Sequence, residues 1–151
     1  MSFRRAGSIV VILAAAAALT ACSHAMMMAR GTGAHRPAPA DFGPGPRTSA
    51  AGHYVATLKL TGELRPRRML SVRVTLRQAD GGPVDDARIA VDGGMPQHGH
   101  GLPTRPRVTR NLGDGIYEIE GVRFNMGGWW ELRLAIDAAP GADTVTFNLD
   151  L

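Results

Sequence analysis

One cysteine in 151 residues, Cys22, leaves no partner for a disulfide and no pair of thiolates for a metal. Any metal site in this chain has to be built from histidine, methionine or carboxylate. Aromatic residues make up 5% of the chain and do not interleave with Arg65, Arg67, Arg68, Arg73 and Arg77, so this cluster lacks the stacking platform of a nucleic-acid surface and reads as a solvated face. No stretch after residue 52 has a helical period, which excludes a helical bundle. No nucleophile-elbow motif and no paired carboxylates on strand ends stand out, and a folding-dependent pair such as His100 with Asp114 occurs in any small domain. No enzymatic activity is expected. The longest apolar run, from Ile9 to Leu19, falls short of the ~20 residues of a spanning helix.

That run is instead an address. Arg4 and Arg5 precede it, and Leu19-Thr20-Ala21-Cys22 follows it with small residues directly before the cysteine, the pattern of a bacterial lipobox. Residues 1–21 are expected to be a lipoprotein signal peptide for the general secretory route, and Cys22 to carry the lipid. A diacylated and N-acylated (palmitate-type) cysteine anchors stably where a single chain does so only marginally. Ser23 follows, with no aspartate to suggest retention at an inner membrane. The expected location is the cell envelope, at the periplasmic face of the outer membrane if the cell has one. The net charge of +4 includes the two arginines of the signal segment, so the remainder is only mildly basic.

From 22 to 51 the chain is rich in Ala, Gly and Pro, with Arg36-Pro37-Ala38-Pro39-Ala40 and Gly43-Pro44-Gly45-Pro46, and reads as a flexible tether of about 30 residues. Met26, Met27 and Met28 with His24 and His35 read as unstructured tail. From 52 to 151 the period is two. Tyr54 to Leu60, Leu70 to Leu76, Ala87 to Val91, Tyr117 to Met126, Trp130 to Ile136 and Val145 to Leu151 alternate apolar and polar positions, with turns at Asp80-Gly81-Gly82-Pro83 and Gly113-Asp114-Gly115. Val108 lies in an expected edge strand hemmed by Pro103 and Pro106. Gly121 marks a bulge where the alternation shifts. About seven short strands with one apolar face each predict an all-β fold, an immunoglobulin-like antiparallel β-sandwich. Asp114-Gly115-Ile116-Tyr117 resembles a tyrosine corner. Trp130 belongs in the core, with Trp129 on the opposite face.

Two segments carry the candidate chemistry: Met95-Pro96-Gln97-His98-Gly99-His100-Gly101 and Phe124-Asn125-Met126-Gly127-Gly128-Trp129-Trp130. In extended backbone His98 and His100 share a face. Met95 and Met126 add thioethers, and imidazole with thioether suits copper better than calcium or magnesium. Asp92 and Glu131 would favour Cu(II) or zinc if they joined. A structural role is open at each position: Met126 is in phase with Val122 and Phe124 and can be core, Gly99 and Gly101 suggest unusual dihedrals, and histidines can bond backbone carbonyls.

The ordered set Met95-Pro96-x-His98-Gly99-His100-Gly101, Pro106-x-Val108, Gly115-x-Tyr117 and Gly121-x-x-Phe124-x-Met126-x-Gly128-x-Trp130-Glu131-Leu132 resembles the YtkA-like and FixH-like family over about residues 53 to 151. The resemblance implies a small extracytoplasmic β-sandwich, often membrane-tethered, linked to copper handling and to assembly of a copper-containing oxidase. FixH-type members usually have a transmembrane anchor, so the lipobox and tether favour the YtkA-like label. The matching positions for ligands are Met95, His98, His100 and Met126. Two functions are then expected to compete. One is a lipid-anchored copper-binding protein, Cu(I) favoured, that sequesters copper or delivers it to a membrane partner. The other is a metal-independent interaction module that docks an envelope protein through the histidine loop and an exposed Trp129.

Overall fold

The computed structural model describes residues 34–151. The expected signal peptide, Cys22, His24 and Met26 to Met28 lie outside the described residues. Among those described, no helix is long and apolar enough to cross a membrane.

Seven long strands form, all but β6 carrying the alternation read from the sequence: β2 (Tyr54–Thr61), β3 (Met69–Gln78), β4 (Arg88–Met95), β6 (Arg107–Gly113), β7 (Ile116–Arg123), β8 (Trp129–Asp137) and β9 (Asp143–Asp150). Two short ones, β1 (Arg47–Thr48) and β5 (His100–Gly101), add to them. All pairings between strands are antiparallel, in the order β1-β2-β3-β7-β6-β4-β8-β9, with β5 on β4. The β6–β4 link is one residue pair, Ala90 with Arg107. The sheet therefore bends there into a sandwich that is nearly a barrel. Inward stripes from both halves, Val72, Val74 and Leu76 of β3 and Leu132, Leu134 and Ile136 of β8 among them, form one core. Trp130 is fully buried in it, edge-on to Phe124 at 5.2 Å. β6 is not an edge strand as expected: it has β7 on one side and touches β4 on the other. Pro103 and Pro106 precede it, so neither takes a ladder N–H away.

The bulge at Gly121 is present. Leu70 pairs with Val122 and Val72 with Ile119, so β7 carries one residue more than β3 there, and Gly121 has φ 87. Tyr117, the second residue of β7, makes the corner: its hydroxyl donates to the Val84 carbonyl at 2.7 Å and accepts from the Ala87 N–H at 2.9 Å. The bonds tie β7 to the connection before β4, so the corner spans about 30 residues of chain rather than a few.

Part of the expected tether is packed. The compact unit takes in the described residues before 52 as well. Phe42 bridges Asn148 of β9 in parallel, the Gly43 N–H donates to the Asn148 carbonyl at 2.8 Å, and Arg47 and Thr48 pair with Ala56 and Val55 of β2. This strap, residues 36–48, lies along the seam between β2 and β9, which would otherwise be two open sheet edges. Short proline-broken segments show no periodicity, which is why composition alone suggested a coil.

Candidate metal centre at one end of the sandwich

β4 runs toward the end of the sandwich where β7 finishes and β8 begins. Past Met95 the chain does not stay extended. The His98 and Gly99 N–H groups both donate to the Met95 carbonyl, at 3.0 and 2.9 Å, and Gly99 has φ 65, so residues 96–99 form a turn that brings His100 back opposite Met95. Extended backbone, the condition under which His98 and His100 share a face, is not met: a turn followed by a short strand stands there, and Gly99 takes the unusual dihedral that its glycine suggests. The two imidazoles still come together: their centroids are 6.2 Å apart and their planes 19° from parallel, with both side chains exposed. Glycine on β4 permits this hairpin. A Cβ at Gly94 would lie 2.6 Å from the His100 carbonyl oxygen, which no side chain tolerates.

The methionines divide. Met95 is 2% exposed and belongs to the core cluster, its Sδ-methyl end against Gly128, where an added Cβ would meet Met95 Cε at 3.0 Å. Met126 is 43% exposed although Val122 and Phe124, in phase with it, are fully buried. β7 ends at Arg123, so the alternation does not reach Met126. The indole N–H of buried Trp130 donates to the Met126 carbonyl at 3.1 Å, and Gly128 and Leu151 exchange two backbone bonds, which fixes the loop that presents the Met126 side chain. A core role for Met126 is thereby removed. Met95 and His100 are directly opposed, His98 lies beside His100, and the loop bearing Met126 touches Met95 through Gly128.

The carboxylates stand apart from this set. Asp92 and Glu131 lie on the outer face of the β4–β8 ladder and both bind Arg133, at 3.3 and 3.0 Å. They line a shallow cleft of about 350 Å³ that reaches Met95 and His100 over Gly93 and Gly94. Among the described residues, no group of three or more His, Cys, Asp or Glu side chains converges as a metal site. Asp114 sits in the turn between β6 and β7 and receives two bonds from Arg77, at 2.9 and 3.1 Å, which hold its carboxyl below the usual carboxylate range. That turn is tied to Asp85, just before β4, whereas His100 pairs with the last residue of β4, so no His100–Asp114 pair forms. Three of the five clustered arginines are paired: Arg65 with Glu63, Arg73 with the buried carboxylate of Glu118, which Arg110 also contacts, and Arg77 with Asp114.

Trp129 is on the face opposite Trp130, as expected, but it is not exposed. Phe42 of the strap packs edge-on against it at 6.5 Å, Arg36 covers Phe42 while bonding Asp150 at 2.6 Å, and the Trp129 indole N–H donates to Asn148. Its exposure is 3%. An aromatic next to a glycine pair reads as a docking residue only if nothing from elsewhere in the chain covers it, and the strap does.

The family model described as YtkA-like matches residues 48–135, which takes in β2 to β7, both candidate loops and most of β8. No curated protein matches the chain. A solved structure titled "ZirS C-terminal Domain" is similar at 12% identity and a TM-score of 0.37, with 97% of each chain covered.

Proposed function

Because the chain belongs to the YtkA-like family, we propose that it is a lipid-anchored extracytoplasmic protein that binds copper, in the first instance Cu(I), and holds it or passes it to a partner in the envelope. The observation that carries this reading is the donor set at the end of β4. Two exposed imidazoles stand side by side at His98 and His100, an exposed thioether at Met126 has no core to fill, and Asp92 and Glu131, which line the cleft that reaches His100, are engaged by Arg133. Imidazole and thioether without hard oxygen donors is the chemistry that favours Cu(I) over zinc, calcium or magnesium. Met95 supplies a second thioether behind the histidines. Copper in this account is cargo, and no turnover is required of the protein. The lipobox at Leu19-Thr20-Ala21-Cys22 supports the anchor.

Anaerobic Cu(I) titration against a competing chelator tests the reading. One equivalent should bind and be lost in His98→Ala/His100→Ala, while the strand spectrum is unchanged because both side chains are exposed. Equal affinity in the double variant would contradict it. The competing reading, a metal-independent docking module, loses Trp129 as its contact because the strap covers that side chain.

A further inference from the structure

The charges of the sandwich are sorted between its two ends. The turns of the end away from the histidine segment hold Asp80, Asp85, Asp86 and Asp114, with Asp137 closing β8 and Asp143 opening β9. Arg77 and Arg88 pair with two of them, Asp114 and Asp137. The end where β2 and β7 finish and β3 and β8 begin is the reverse. The connection from β2 to β3 carries Arg65, Arg67 and Arg68, Arg105 precedes β6, and Arg123 closes β7. Among the described residues Arg67, Arg68, Arg105 and Arg123 have no carboxylate within ion-pair distance, and Glu63 beside them is held by Arg65 at 2.5 Å. Arg67 and Arg68 line an open cleft of about 480 Å³ with Met69, which is 61% exposed. Arg67 sits at φ 64, where glycine is the usual residue, and its N–H donates to the Phe124 carbonyl at 2.6 Å. The chain enters the described fold at this same end: Arg36 bonds Asp150, the last residue of β9, which pairs with Trp129, the first of β8. Arg36 is 14 positions beyond Cys22, so at most about 50 Å of extended chain joins a lipid there to this end of the sandwich.

We propose that the Arg67/Arg68 cleft docks on the phosphates of anionic lipid headgroups, so that the molecule stands with this end toward the membrane; this rests on the lipid-anchor reading above. Guanidinium is a two-point donor matched to phosphate oxygens. A basic rim around an exposed apolar side chain, here Met69, is the composition that settles at a headgroup boundary. The aspartates of the other end are repelled by the same surface, so attraction and repulsion turn the molecule the same way. Each arginine near such a surface strengthens the contact about fivefold. The histidine turn shares this end and faces the membrane with it.

The test uses the chain from residue 22 onward, with 13C at its methionine and alanine methyl groups, coupled through Cys22, its one thiol, to a maleimide headgroup lipid in nanodiscs. A gadolinium-chelate headgroup lipid in the same discs broadens whichever methyls approach it. In discs of phosphatidylcholine with phosphatidylglycerol, the Met69 methyl is expected to broaden several-fold more than those of Ala79 and Ala138 at the acidic end. The bias should vanish in phosphatidylcholine alone, in high salt, and in Arg67→Glu/Arg68→Glu, whose exposed side chains leave the core untouched. Equal broadening at both ends in the phosphatidylglycerol discs, as a cleft built for a protein or for free phosphate would give, overturns the proposal, and so does a bias that survives the substitutions. Palmitate incorporation in cells reads the anchor separately. Its absence removes Cys22 as the anchor and the premise with it, whereas palmitate at Cys22 with equal broadening leaves the anchor standing and overturns only the docking.

Discussion

Met126 is the residue whose position in sequence and in space differ most usefully. Its phase with Val122 and Phe124 marks it as core, yet the strand stops at Arg123 and the side chain is left in solvent. Since exposed apolar substitutions change stability little, Met126→Leu should leave the melting temperature nearly unchanged and weaken Cu(I) binding by roughly tenfold, about 1.4 kcal/mol. Chelator competition on the purified variant checks this, and an unaltered affinity would remove Met126 from the donor set. Asp143 is a residue that no motif in the sequence marks. Burial alone would raise its pKa, but the Ser49 hydroxyl and the N–H groups of Ala51, Thr144 and His53 surround the carboxylate and hold it well below the usual range. A carboxylate with a depressed folded pKa contributes stability that is fully present above its unfolded value of about 4 and is lost as pH falls toward the folded value. Denaturant unfolding from pH 6 down to 2 should therefore show a stability loss beginning near pH 4, and Asp143→Asn should flatten that acid limb while costing about 2 kcal/mol at neutral pH. Among the described residues, His53, whose Nδ1 lies 3.8 Å from the carboxylate, is the titratable side chain beside it.

Elements long enough to show a period were legible, and those too short were not. Six of the seven long strands follow the alternation of their apolar residues, β6 being exposed almost throughout, and the tyrosine corner and the bulge at Gly121 followed from local chemistry. β1 and β5 have two residues each, and no pattern can be read from two positions. The same-face rule for His98 and His100 holds only for extended backbone, and Gly99 turns left-handed instead, an unusual dihedral of the kind its glycine suggests. The candidate site was legible as a list of donors, because imidazole and thioether are chemical facts of the sequence. Their neighbourhood was not, because it depends on β4 closing onto β5 and on Gly128 touching Met95. The strap was missed because its bonds run to β2 and β9, far away in sequence. Removing residues 34–48 should unmask Trp129, shift tryptophan emission to the red and lower the denaturation midpoint, since Phe42, Arg36 and the β1–β2 pairs are lost together. Emission that stays at the wavelength of the longer chain would show that the strap does not cover Trp129 in solution.

At the scale of the whole molecule, a sandwich held by one apolar core spends one of its ends on side chains that the core does not need. The opposite end is closed by internal bonds: the Tyr54 hydroxyl shares its one proton between the Ala138 and Gly141 carbonyls of the turn between β8 and β9, and Asp143 gathers the N–H groups around it. The end that bears Met95, His98, His100 and Met126 instead leaves two imidazoles and a thioether in solvent on loops fixed by Trp130, Gly94 and Leu151. Rigid backbone beneath exposed soft donors is an arrangement that can hold a copper ion without an enzyme's cavity. X-ray absorption at the copper edge, on protein carrying one equivalent of Cu(I), tests this most directly. The expected result is a first shell that mixes imidazole nitrogen with thioether sulfur, the sulfur diminishing in Met126→Leu and the imidazole signal vanishing in His98→Ala/His100→Ala. A shell of nitrogen and oxygen alone, unchanged by those substitutions, would contradict it.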